Sequence, residues 1–134
     1  MRYLITLPLL LFIVTGCRTV YHAPGATGRV VDAQTGTPVL GAQITRLATH
    51  SPDDFLHFFD TPTATVFSDK KGVFNLPPDS TTYIDIGYHG ANPDSMSGSF
   101  IVSANGYVTN QLYGTATSYT FWRAELGKIM LKKP

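Results

Sequence analysis

From Gly28 onward, runs of Val, Ile, Thr, Tyr and Phe only a few residues long are cut by clusters of Gly, Pro, Asn and Asp. This spacing constrains the fold more than any other feature. The runs are too short for packed helices, and their β-branched and aromatic residues suit a pleated, half-buried surface. Strands are predicted near 28–33, 40–48, 63–68, 73–77, 82–88, 99–104, 107–113, 118–123 and 127–132. No long window carries a helical period. Short strands at this interval imply an all-β architecture, an antiparallel sandwich whose two sheets bury their inner faces against each other. One stretch breaks the pattern. In SPDDFLHFF, Ser51 suits a helix cap, Pro52 a first helical position, and Asp53 and Asp54 the positive end of a helix. Phe55, Phe58 and Phe59 then share one face, so a helix of one or two turns is expected in that loop.

The partner classes narrow with charge. Ten Lys plus Arg stand against nine Asp plus Glu among 134 residues, and only 14% of residues are charged. The charges are scattered, with no basic stripe to neutralise phosphates, so nucleic acid is not an expected partner. A hydrophobic content of 43%, rich in Phe and Tyr, favours a packed core over disorder.

The N-terminus opens MRYLITLPLLLFIVTG, a basic start followed by an apolar run from Tyr3 to Val14 and the small pair Thr15 and Gly16. This is the layout of a secretory signal. The run is shorter than the roughly 20 apolar residues of a membrane-spanning helix and contains Pro8. Val14-Thr15-Gly16-Cys17 resembles the lipobox of bacterial lipoproteins. In that family the signal is cut before the cysteine, whose thiol and new amine are both acylated. The resemblance implies residues 1–16 as a lipoprotein signal peptide and Cys17 as the lipidation site. It also implies a membrane partner reached through the lipid anchor. Several acyl chains hold a protein durably where one holds it marginally. Arg18 after the cysteine, rather than Asp, favours the outer membrane by analogy with lipoprotein sorting, so an envelope location facing the periplasm is expected. Cys17 is the only cysteine, so its modification leaves no thiol for a disulfide. Residues 17–27 read as a lipidated tether, within which the ten from Arg18 reach about 36 Å at most.

Residues 28–134 form the predicted domain. Gly28-Arg29-Val30-Val31-Asp32, Thr35-Gly36 and Pro38-Val39-Leu40-Gly41-Ala42-Gln43-Ile44 run in order near its start. Ser68-Asp69-Lys70-Lys71-Gly72-Val73-Phe74-Asn75-Leu76, Ala104-Asn105-Gly106-Tyr107 and Lys128-Ile129-Met130-Leu131 follow. Together they resemble the pattern of carboxypeptidase regulatory-like domains across residues 28–132. The resemblance implies a transthyretin-like, immunoglobulin-like β-sandwich of about seven strands, and no activity. Local physics agrees with the pattern. Asp32 to Gly36 is a tight reversal; Val30, Ala42 and Ile44 alternate onto one buried face; Asp69 to Gly72 reads as a hairpin loop with Gly72 left-handed. Tyr107 is expected to bond its hydroxyl back to the chain, as a tyrosine corner does. Loops 49–62 and 87–98 exceed the family minimum and are where a specialised contact is expected.

Catalysis finds little support. There is no G-x-S-x-G elbow, no glycine-rich phosphate loop, and Glu125 is the sole glutamate. Hydroxyisourate hydrolase, an enzyme of related fold, carries a C-terminal Tyr-Arg-Gly-Ser, whereas this chain ends Leu131-Lys132-Lys133-Pro134. His50, Asp53, Asp54, His57 and Asp60 cluster in sequence but lack metal-site spacing, and the carboxylates suit a helix start. His22 and His89 read as solvated loop residues. No metal or cofactor is expected, and the chain is not expected to be an enzyme. The aromatics remain. Strand alternation sends Phe121 and Trp122 to opposite faces, exposing one of them, and exposed rings stack on sugars or anchor partners. Tyr119, Trp122, Phe58 and Tyr88 are the candidate ligand-binding residues. The expected role is a noncatalytic structural or protein-interaction module whose partner is another envelope protein. The alternative is binding of carbohydrate or a cell-wall fragment on the aromatic surface.

Overall fold

The computed structural model describes residues 16–47, 62–84, 92 and 94–134. Nine strands run through them: β1 Cys17–Ala23, β2 Gly25–Asp32, β3 Gln43–Leu47, β4 Pro62–Phe67, β5 Val73–Leu76, β6 Asp79–Ile84, β7 Ser95–Ser103, β8 Asn110–Thr117 and β9 Arg123–Leu131. The only helical turn among the described residues is the 3-10 turn Ser118–Thr120. The helix expected over 51–59 lies outside them.

The strands form two facing sheets and a separate ribbon. One sheet has the order β5-β2-β9, the other β4-β3-β7-β8, and β1 pairs with β6 alone. Their inner faces build one core from Ala26, Val30, Ile44, Phe74, Phe100 and Ile129, among others. Alternation makes this possible. In β5, Phe74 and Leu76 are buried while Val73 and Asn75 face water. In β9, Ala124, Ile129 and Leu131 point inward while Met130 is exposed. Each fully buried Val, Leu, Ile or Phe side chain contributes about 1.5–3 kcal/mol. The all-β sandwich expected from the strand spacing is the fold observed, and Val30, Ala42 and Ile44 are all buried as the alternation requires.

Pairing is antiparallel except between β2 and β9, which run parallel from Gly25 opposite Arg123 to Asp32 opposite Leu131. The register slips once, because Leu126 is an extra residue before the left-handed Gly127. Such a bulge re-aims the following residues without breaking the sheet.

Three local expectations change. Residues 17–27, read as a tether, are strand: β1 pairs with β6 from Cys17 opposite Ile84 to Ala23 opposite Asp79, and β2 begins at Gly25. Pro24 only interrupts a longer ribbon. Ala23 opposite Asp79 and Ala26 opposite Leu76 keep one register on either side of Pro24 and the Pro77-Pro78 pair. Prolines lack the N–H that would continue the ladder, so the ribbon breaks there and resumes.

The second change concerns Asp69 to Gly72. It is a tight reversal with Gly72 at φ +75°, as expected, but its flanking strands β4 and β5 lie in different sheets. The Asp69 carboxylate accepts from Lys71 N and Val73 N, which closes the corner without a hairpin ladder.

The third is the strand expected over 118–123. Its first five residues are turn, and β9 starts only at Arg123.

Candidate functional site

At the end of the sandwich where β2 and β9 begin, the chain between β8 and β9 makes a compact turn. The hydroxyl of Thr120 donates to the carbonyl of Thr117 at 3.1 Å and accepts from Thr117 N at 3.0 Å. Phe121 N donates to Ser118 O, and Trp122 N to Thr117 O at 2.8 Å. To complete this path Phe121 and Trp122 both take left-handed dihedrals, at φ 52° and 57°. Bulky aromatic residues seldom occupy that region, and each residue there costs about 1–3 kcal/mol. Two contacts offset that cost. Trp122 O accepts from Gly25 N at 2.8 Å, and the indole is 6% exposed, stacked on the ring of Tyr21 with centroids 5.1 Å apart.

The same path throws the other two rings outward. Tyr119 is 94% exposed and Phe121 77%. Asn92, Asp94, Ser118, Tyr119 and Trp122 line an open cleft of about 540 Å³ beside them. Asn92 is already committed: its Oδ1 accepts from Tyr21 N at 3.0 Å and its Nδ2 donates to Thr19 O at 3.0 Å. It therefore caps the outer edge of β1 like a fragment of a neighbouring strand. Arg123 donates to Asn75 Oδ1 and to Phe121 O.

Of the residues singled out in the sequence, the structure brings Tyr119 and Trp122 to one cleft. Their roles differ. Tyr119 presents its ring to solvent, whereas Trp122 is buried and stacked on Tyr21. One ring of the Phe121–Trp122 pair is exposed, as alternation predicts, but the cause is the double left-handed turn and not a strand. Phe58 and Tyr88 lie outside the described residues, as do His50, Asp53, Asp54, His57, Asp60 and His89. Cys17 is an exposed free cysteine at the first position of β1. His22, read as solvated, bonds Thr81 Oγ1 through Nε2 at 2.9 Å. Among the described residues, no group of three or more His, Cys, Asp and Glu side chains could hold a metal ion. No helix among them is long and apolar enough to cross a membrane.

The opposite end of the sandwich holds features that the sequence reading missed. Leu40 and Phe67 are exposed large apolar residues flanking a second cleft, about 460 Å³, that Tyr107 also lines. Close by, the buried carboxylate of Asp32 accepts from Gln34 N at 2.8 Å and Thr35 N at 3.0 Å through Oδ1. Its Oδ2 accepts from the Tyr107 hydroxyl at 2.8 Å and faces Lys133 Nζ at 3.5 Å. The tyrosine thus bonds a carboxylate rather than the backbone expected of a tyrosine corner. The Thr35 N–H, then the Tyr107 hydroxyl and the Gln34 N–H, hold Asp32 far below the usual carboxylate range, with Lys133 adding to them against the opposing effect of burial. In return, the Asp32 carboxylate raises the Tyr107 hydroxyl above its ordinary value. The pairing was hidden because 75 residues separate the partners.

No family model and no curated protein matches the chain. Among solved structures it is similar to the crystal structure of 3-chlorocatechol 1,2-dioxygenase from Rhodococcus opacus 1CP, with 14% identity and a TM-score of 0.47. That alignment covers 87% of this chain and spans 60% of the dioxygenase chain. So low a likeness carries no argument about activity. What the fold and the turn define is an all-β sandwich that displays two exposed aromatic rings, Tyr119 and Phe121, at one end.

Proposed function

We propose that the protein is a membrane-anchored lipoprotein of the bacterial envelope, its sandwich a noncatalytic interaction module with a carboxypeptidase regulatory-like pattern. The observation that carries this reading is the position of Cys17. The only cysteine in the chain follows an apolar run within Val14-Thr15-Gly16-Cys17 and stands exposed at the first residue of the first strand. A thiol there is open to acylation, and modification would leave the core untouched. Arg18 supports the outer membrane as the destination and the periplasm as the face. Another envelope protein is the partner this reading favours, met through the exposed aromatic turn or a free strand edge. Metabolic labelling with a fatty-acid analogue, with mass analysis of the mature N-terminus, tests the anchor. An unacylated polypeptide beginning at Met1 would falsify it.

A second reading rests on Tyr119. Its open ring stands beside Asp94 and Ser118 in one cleft, the combination of aromatic face and hydroxyl-binding groups that suits a pyranose. Binding of soluble peptidoglycan fragments, measured by calorimetry, should then disappear in Tyr119→Ala while thermal unfolding is unchanged.

A further inference from the structure

The anchor position and the aromatic turn belong to one rigid unit. Cys17 begins β1, and Tyr21, four residues further on, stacks on Trp122. At strand rise, those four residues span about 13 Å. Nothing along that distance is left loose. β6 pairs β1 through backbone bonds, and the Asn92 amide holds the opposite edge at Thr19 and Tyr21. Where the ribbon meets the sandwich, the buried guanidinium of Arg46 donates to the carbonyls of Pro24 at 3.2 Å and Pro77 at 2.9 Å. A lipid on Cys17 is therefore attached to a stalk that continues into the body, and the turn Ser118–Trp122 sits at a fixed reach from it.

The apolar run of residues 3–14 ends three residues before this ribbon. On the lipoprotein reading, acyl chains on Cys17 attach the domain to the membrane at this end. At the same end Tyr119 and Phe121 stand almost fully exposed, held outward by a strained backbone. Aromatic rings favour the boundary between hydrocarbon and headgroup, a layer about 5–8 Å deep on each side of a bilayer. The described charged residues at this end are few and of both signs: Arg18 on β1, Asp79 on β6, Asp94 in the cleft and Arg123 at the start of β9. Such a surface suits neutral phospholipid, and its attraction should be insensitive to salt.

We infer that the turn Ser118–Trp122 is a second membrane contact, seating Tyr119 and Phe121 among phospholipid headgroups beside the anchor. The sandwich then leans on the bilayer with its Leu40–Phe67 end turned away. This inference rests on the lipoprotein reading above and adds to it a fixed orientation and a lipid-binding residue pair.

The test uses the full chain purified from membranes and reconstituted into phosphatidylcholine–phosphatidylethanolamine vesicles. With Cys17 blocked as a thioether, Ser118→Cys introduces a single reactive thiol for a polarity-sensitive fluorophore, and Asn105→Cys places the same probe at the far end. Spin-labelled phospholipid should quench the probe at 118 severalfold more than the probe at 105, equally in low and high salt. Adding Tyr119→Ser and Phe121→Ser should bring quenching at 118 down to the level at 105 while the protein still floats with the vesicles. If the acylated protein floats but both probes are quenched alike, the second contact is overturned and the anchor stands. Quenching at 118 that persists without the two rings also overturns it, whatever those substitutions do to glycan or protein binding. A chain without acyl mass at Cys17 that fails to float removes both readings together.

Discussion

Asp32 organises the Leu40–Phe67 end of the sandwich with a single carboxylate. Both oxygens are engaged, one by backbone N–H groups of its own turn and one by Tyr107 from the other sheet's connection. Its acidity is raised in the folded state, so the native carboxylate keeps its charge at a pH where the unfolded one, near 3.8, is half protonated. The stabilisation is therefore fully present above that value and is lost as the pH falls below it. Acid titration followed by circular dichroism should show wild-type stability dropping steeply below about pH 4, and Asp32→Asn should flatten that dependence while lowering stability at neutral pH. Trp122 gives a second prediction at this scale. Its indole fills the space between Tyr21 and the turn, so Trp122→Ala should cost about 3–5 kcal/mol in denaturant unfolding. Tyr119→Ala, at an exposed site, should leave the midpoint within about 0.5 kcal/mol. A large loss at Tyr119 would mean that its ring is packed and not displayed.

Between elements, the crossing of the ribbon and the sandwich depends on two residue types. Gly25 lies where a Cβ would meet the backbone of Leu76 and the Pro77-Pro78 pair, so even alanine must push the strands apart. Arg46 fills the mouth of the sandwich from β3, with Nε on Thr63 Oγ1 at 3.0 Å and Nη1 on the two proline-flanked carbonyls. Burial lowers its pKa, opposed by the charge of Asp79, yet a guanidinium stays ionised across the accessible range. Arg46→Met keeps much of the volume and removes every donor. The stranded carbonyls should cost about 2–4 kcal/mol. The effect should also be directional: hydrogen exchange of the β1 and β6 amides should speed up more than that of β7, and uniform acceleration would argue against a local role where the ribbon meets the sandwich. Gly72 is the corresponding point between the sheets. It is left-handed and its Cβ would strike the carbonyl of Val30, so Gly72→Ala should lower the thermal midpoint more than substitution at the open, equally left-handed Gly36.

For the whole molecule, the proposed attachment at Cys17 is separable from the architecture. Cys17→Ser should release the protein from the membrane fraction without changing its far-ultraviolet spectrum, because the side chain is exposed at a strand end. Simultaneous loss of fold would place the cysteine in the core. The sandwich was legible in the sequence because alternation and turn residues are local signals: β5 and β9 bury the residues that a period of two selects, and Gly72 bends where a left-handed turn requires it. The role of β1 was not legible. Only the register that β1 with β6 and β2 with β5 share across Pro24 shows that pairing resumes beyond it. Nor was the Ser118–Trp122 turn, since Tyr, Thr, Phe and Trp carry strand propensity and nothing local demands two left-handed aromatics. That conformation follows from the need to bury Trp122 against Tyr21 and return the chain beside Gly25. Residue order alone thus determined that the body is all-β, which residues form the core face, and where the N-terminal apolar run ends. Tertiary contact decided which rings stand exposed beside β1, because side-chain burial across distant segments can outweigh backbone preference and leaves no periodic trace in the chain.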